Sequence, residues 1–210
     1  MENPVMIFGA GSLGAAALDI FKQNNVVVYG FLDDNKALHQ TEIDDVMILG
    51  ASDDEGFTKL IGKKCEAFVA VDNPTERKAL IEMLIDRRKT MPVNAVHNSA
   101  ILSKLAILGH GDFIGAGTIV GARAIIGQHC ILNSGVVIEP DAEIGDHVQI
   151  GAGSIVGSKA VVGDGSFIGS GVTVVAGIKI GKGARIGAGS VVVDDVPARA
   201  TVFGNPAKKV

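Results

Sequence analysis

The sequence predicts two architectures in series: an α/β domain over residues 1–97 and an all-β parallel helix of hexapeptide repeats over residues 98–197, with a short tail over 198–210. Three observations carry this. Every sixth residue from Leu102 to Val192 is Leu, Ile or Val without exception. The residue that follows is Gly in eleven of those sixteen hexads. Ahead of the repeats, Gly9-Ala10-Gly11-Ser12-Leu13-Gly14 stands between a short apolar run and a helical stretch.

A period of six belongs to neither a helix nor a plain strand. It is the signature of a parallel β-helix, whose short strands are joined by tight turns and whose coils stack. Aliphatic residues make up roughly a third of an average chain, so chance does not fill this column. Glycine after each aliphatic supplies turn conformations that a Cβ would forbid. Two residues before each aliphatic a mostly small side chain recurs, among them Ala106, Thr118, Ala124, Cys130, Ala142, Ser154, Ala160 and Ser190. One large and one small residue per side fill a narrow triangular coil. Three hexads per coil give a little over five coils, each rising about 4.8 Å.

The elements of the first part follow in order. Val5-Met6-Ile7-Phe8 reads as a strand, Ala15 to Lys22 as a helix, Val26 to Phe31 as a second strand ending at Asp33-Asp34, and Ala67 to Val71 as another strand. This is a βαβ unit with a G-x-G-x-x-G turn and an acidic residue 19 positions past its last glycine. Such glycines let the backbone approach a phosphate, and the helix N-terminus offers it free N–H groups and a positive dipole. Asn73-Pro74-Thr75-Glu76 then has the pattern of an N-cap with Pro at the first helical position, opening a helix expected to run through Arg88. Met91-Pro92-Val93 leads into the prism near Asn98.

Composition bounds the partners. Nineteen basic against 23 acidic residues give a net charge of −4 with no basic stripe, so neither nucleic acid nor an anionic membrane is expected as a partner. No apolar run approaches the roughly 18 residues of a membrane span, and the first strand begins without a charged leader, so a cytoplasmic protein is expected. Cys65 and Cys130 are too few for a disulfide framework and are expected as packed, reduced thiols.

A small Rossmann-like domain carrying FGAGSLG, FLDDN and AVDNPTERK, followed by a hexapeptide prism that closes on FGNPAKKV, resembles the sialic acid O-acetyltransferase and UDP-amino-sugar N-acetyltransferase family. The resemblance covers essentially the whole chain. It implies a left-handed β-helix, a homotrimer with acetyl-CoA as acyl donor in a groove between adjacent prisms, and a nucleotide-sugar substrate, UDP-linked, on the N-terminal domain. The function implied is acyl transfer to an amino or hydroxyl group of that sugar in surface glycan synthesis. Carried over by position, the substrate loop falls on Gly9, Gly11, Ser12, Leu13 and Gly14, and the acidic pair on Asp33 and Asp34. The third-strand motif falls on Asn73 and Arg77. In the prism, Asn133 and Glu139 replace the turn glycine in two consecutive hexads, where the family has a similar pair beside its active site. Gln149, Ser158, Ser170 and Ala188 fall where the family holds acyl-CoA. Small outward residues such as Ala116, Ala122, Ala152 and Ala176 suit packing about a threefold axis.

Three positions depart from the family. Pro140 stands at its catalytic histidine, Gln149 at its second histidine, and Ser12-Leu13 at the Gly-His pair of its glycine loop. Transfer needs a group to take the acceptor's proton, and proline cannot. The titratable alternatives are His147 and Asp141, with His110 and His129 also in the prism. His129 and His147 lie 18 residues apart, one coil above the other, and are expected to stack near 5 Å. They are either a relocated base or ordinary turn residues. No two prism histidines lie closer than 18 residues, which is not the arrangement of a three-histidine zinc site, and no metal is expected. Two other readings stay open: a relative that binds the family's ligands without its chemistry, and a dinucleotide sensor in which Asp33 accepts a ribose hydroxyl pair.

Overall fold

The computed structural model describes residues 3–210 and divides into two compact units, Met1–Ala95 and Val96–Val210. The division falls two residues before the expected boundary at 97, and Met1 and Glu2 lie outside the described residues.

In the first unit the glycine turn joins strand β1 (Val5–Phe8) to helix α1 (Ser12–Gln23), which returns to β2 (Val28–Leu32). β1 is fully buried, as a central strand of a parallel sheet must be. A hairpin absent from the sequence reading follows, β3 (Glu42–Ile43) and β4 (Val46–Gly50), turned by Asp44 and Asp45, both with positive φ. Then come a one-turn helix α2 (Glu55–Thr58), β5 (Glu66–Val69) and α3 (Pro74–Met83). The sheet order is β3-β4-β2-β1-β5, with β4, β2, β1 and β5 parallel. Asn73 caps α3 as expected, its Oδ1 accepting from the N–H of Thr75 at 2.9 Å and of Glu76 at 3.3 Å. The helix expected to reach Arg88 is regular only to Met83. Leu84–Arg88 widens into a π turn that Lys89 ends with φ +53°.

The second unit is the stack of coils that the period predicts. Its strands form three sheets of six, five and eight strands, and the two-residue strands of successive coils, from Ile101–Leu102 to Val191–Val192, pair in parallel 18 residues apart, as Val120 does with Ile138 and Ile126 with Ile144. Of the sixteen aliphatics, those from Ile114 to Val192 are all buried, as is the small column from Asp112 to Val172. Hydroxyls inside the stack are satisfied one coil away: Ser154 Oγ donates to the Gly169 carbonyl and Ser166 Oγ to that of Gly181. Asp112 is the one carboxyl in this small column. Its Oδ1 accepts from the Cys130 N–H at 2.8 Å, and burial pushes its pKa up to about 7, with Asp146 adding to the rise.

The segment expected as a tail carries two further strands. Thr201–Phe203 pairs in parallel with Arg185–Ile186, and Lys208–Lys209 pairs antiparallel with it, extending the eight-stranded sheet. Residues 198–210 therefore fold as part of the prism and cover its last coil. Cys65 and Cys130 are both buried and form no disulfide among the described residues, and burial pushes the Cys65 thiol up to about 11. Among the described residues, no helix is long and apolar enough to cross a membrane.

Candidate functional site

In an open parallel sheet, the ligand crevice lies outside the carboxyl ends of the strands. The first unit has a cleft of about 550 Å³ there, lined by Gly9 and Gly11 after β1, Asp33 and Asp34 after β2, Ser52 after β4, Ala70 to Asp72 after β5, and Asn73 and Glu76 at the start of α3.

The three glycines of this turn do different jobs. Gly9 has φ +99°, and a Cβ on it would come within 2.5 Å of the Ala70 carbonyl oxygen. A Cβ on Gly14 would sit 2.1 Å from the Gly9 carbonyl oxygen, so this glycine lets α1 close onto the loop. Gly11 has an ordinary φ of −82°, and a Cβ there would meet nothing within 4 Å. It is bare because the cleft is in front of it. Gly11 is also the N-cap of α1 and supplies no side-chain cap, and the first turn holds no acidic residue, so the leading N–H groups of the helix stay available for an anion. Among the described residues, no Lys or Arg lines the cleft. The amides at the start of α1 are the anion-binding groups this cleft offers.

The acidic residues are engaged by their own loops. Asp33 accepts from the Ala10 N–H through Oδ2 and from the Asn35 N–H through Oδ1, both at 2.8 Å. It holds the glycine loop against the end of β2. Asp34 accepts from the Ser52 N–H at 2.8 Å. Buried Arg77 donates through Nη1 to the carbonyls of Val71 and Asp72, fixing the cleft wall after β5. Of the expected substrate loop, Gly9 and Gly11 line the cleft, whereas Ser12, exposed at the start of α1, and buried Leu13 and Gly14 do not. Ser52, Asp72 and Glu76 were missed as cleft residues. Ser52 sits at the end of the unforeseen β4, and Glu76 reads from sequence as part of a cap.

In the prism, the remaining candidates fall on three different edges. Asn133, Ser170 and Ala188 are on the edge that follows the eight-stranded sheet, and Gln149 lies on that sheet, paired with Phe167. Asn133 donates through Nδ2 to the Ile150 carbonyl. Glu139, Pro140, Asp141 and Ser158 are on the edge after the six-stranded sheet. His147 is on the edge after the five-stranded sheet, where it stacks on His129 with ring centroids 5.1 Å apart. The expected stack is present. Within one chain, however, the strand Glu143–Ile144 separates the two catalytic candidates, Asp141 and His147.

The two carboxylates on the Glu139 edge differ. Asp141 accepts from Arg123 Nε at 2.6 Å and Nη2 at 2.8 Å, and this ion pair holds its pKa below the usual carboxylate value. Glu139 accepts through Oε2 alone, from the N–H and Oγ of Ser158 at 3.1 and 3.0 Å. Ser158, placed by resemblance with the acyl-CoA residues, thus holds a carboxylate.

Comparison with known proteins bears on both units. Residues 4–84 match the PglD N-terminal domain, and three overlapping matches to the bacterial transferase hexapeptide (six repeats) span 123–158, 141–176 and 159–194. The chain pairs a PglD-type N-terminal domain with transferase hexapeptides. Its fold is an α/β domain followed by a left-handed β-helix. It is similar to PerB from Caulobacter crescentus, solved with CoA and GDP-perosamine, at 29% identity and a TM-score of 0.89 over 99% of this chain and 97% of that one. A histidine-to-alanine variant of GDP-perosamine N-acetyltransferase from the same organism, solved with the same ligands, matches at 29% identity and TM-score 0.89 over 99% and 96%. The acetyltransferase domain of PglB from Neisseria gonorrhoeae, solved with acetyl coenzyme A, shares the fold at 23% identity and TM-score 0.89 over both whole chains. No curated protein sequence matches.

Proposed function

We propose that this protein transfers an acetyl group from acetyl-CoA to an amino or hydroxyl group of a nucleotide-linked sugar. The observation that carries the reading is the full-length likeness to PerB with CoA and GDP-perosamine, joined to a cleft lined by the glycine turn that opens α1. In this reading the first unit holds the nucleotide diphosphate, with the α1 N-terminus toward phosphate and Gly11 leaving room for it. Asp33, Asp34 and Asn73 shape the cleft wall. Acetyl-CoA lies in the groove between adjacent prisms of the trimer, with Gln149, Ser170 and Ala188 of one copy on one wall and the Glu139 edge of its neighbour on the other. The protein's share of the chemistry is to position both ligands and to accept one proton.

The working assembly in this reading is a homotrimer. Support comes from an apolar column facing outward on the six-stranded sheet, where Ile101 is 63% exposed and Ile119 and Ile155 are each 40% exposed. Ala116, Ala122, Ala152 and Ala176, which suggested packing surfaces in the sequence, lie on the edges beside it. Light scattering at about 65 kDa, three copies of the 21.6 kDa chain, would support the trimer. A mass near that of one chain would remove it.

A second reading rests on Pro140, which stands where the resemblance puts the catalytic histidine. In it, the chain binds both ligands without transfer. Thermal shift and calorimetry with CoA, GDP-perosamine and a UDP-linked amino sugar, followed by an assay for free CoA thiol, separate the two. Binding with thiol release supports transfer, and binding without release supports the second reading.

A further inference from the structure

We propose that Glu139 takes the acceptor's proton in this chain, held in position by Ser158, a role that rests on the transfer reading above. The side chains on its edge narrow the choice. Pro140 has no proton acceptor on its side chain. Asp141 has both oxygens engaged by Arg123. Lys159, exposed on the next coil of this edge, is a cation. Glu139 is half-buried, and both protein hydrogen bonds it receives fall on one oxygen. Oε1 receives none of these bonds.

An oxygen in that state can act at the reacting centre without breaking a structural bond. The two Ser158 donors fix the plane of the carboxylate, so a proton arriving at Oε1 does not require it to turn. Asp141 would first have to release Arg123. His147 lies on another edge of the same chain, past the strand Glu143–Ile144.

The step balances simply. The acceptor nitrogen's lone pair forms a bond to the thioester carbonyl carbon, and the nitrogen's proton passes to Glu139 Oε1. The C–S bond then breaks, its electron pair leaves on the CoA sulfur, and that sulfur takes up the proton. The products are the acetylated amine and free CoA.

The test uses the full-length protein with acetyl-CoA and either GDP-perosamine or a UDP-linked amino sugar. Glu139→Gln is expected to lower kcat by about 100-fold or more, the size of a general-base contribution, with the KM for acetyl-CoA within about threefold of the parent. Ser158→Ala, which leaves the carboxylate in place but unheld, is expected to lower kcat about tenfold without raising that KM, whereas a pantetheine-binding serine would raise KM. His147→Ala is expected to match the parent. The proposal is overturned if Glu139→Gln keeps the parent's kcat, or if the loss appears in His147→Ala together with a pH limb in the imidazole range near 6.5. A parent that binds CoA and a nucleotide sugar but releases no thiol also overturns it while leaving both ligand sites standing. A parent that binds neither overturns the proposed function itself.

Discussion

In the prism a residue's column decides its role, whereas in the α/β unit three glycines within six residues do three different things. Gly127, Gly145 and Gly163 occupy the same turn on successive coils, and a Cβ at each would meet the next coil at 2.5 to 2.6 Å. Gly9, Gly11 and Gly14 respectively carry a positive φ, face a cleft and allow a helix to close. A repeat therefore announces its architecture through its rule and its chemistry through its exceptions. The α/β unit reverses this: its glycine rule is the site.

The largest effect should come from breaking the prism's rule. Ile150 is fully buried in the aliphatic column, and Ile150→Asp would place a carboxylate there without a partner, at a cost of several kcal/mol. Little or no folded protein is expected by circular dichroism. A melting temperature within a degree or two of the parent would show that the column tolerates charge.

Next comes a paired test inside the glycine loop. Gly14→Val should unfold or strongly destabilise the first unit, because its Cβ would overlap the Gly9 carbonyl. Gly11→Val should keep the parent's melting temperature and lose at least about tenfold in affinity for a nucleotide sugar, since its side chain would fill only the cleft. Calorimetry on the two variants distinguishes a ligand loop from a structural turn. Equal instability in both would mean that Gly11 is structural as well.

The buried carboxyl gives the prism a pH dependence with a definite sign. Asp112 has a folded pKa of about 7 against an ordinary value of 3.8, so between these values the folded state binds more protons and stability falls as pH rises. Below pH 4 the penalty is absent, and above pH 7 it is complete, at up to about 4 kcal/mol for a shift of this size. Asp164 and Asp141 act in the opposite sense at lower pH, because Lys182 and Arg123 hold their pKa values down. Asp112→Asn keeps an oxygen for the Cys130 N–H and removes the charge. Urea unfolding of this variant should show greater stability than the parent at pH 8 and little difference at pH 4. The same slope in both proteins would place the titration elsewhere.

The smallest effect is expected on the surface of the same prism. Asp141→Asn removes an exposed ion pair with Arg123 and should leave the melting temperature within about 2 °C of the parent. It should also leave acetyl transfer unchanged. A large loss of transfer would return Asp141 to the reaction.

The same contrast explains what could be read in advance. The prism's coil length, its inward columns and the His129–His147 stack follow from a period that each hexad restates. The β1–α1–β2 unit and the Asn73 cap follow from local turn chemistry. Missed was the β3–β4 hairpin, whose Asp44-Asp45 turn lacks the glycine that usually marks such a bend. With it went Ser52. The final strands look like a tail in the sequence because Thr201–Phe203 and Lys208–Lys209 abandon the hexad spacing, although they pair within the same sheet. Roles on the prism edges were the least legible. Spacing gives the column of a side chain but not which oxygen of Glu139 Ser158 holds, nor that Arg123 occupies both oxygens of Asp141.

The most direct measurement is acetyl transfer itself, followed by mass spectrometry of the nucleotide sugar alongside release of free CoA thiol. With acetyl-CoA and a nucleotide-linked amino sugar, the expected result is a product heavier by one acetyl group, formed in step with thiol and absent without the sugar. A protein that holds both ligands yet leaves the sugar unmodified would contradict the transferase reading.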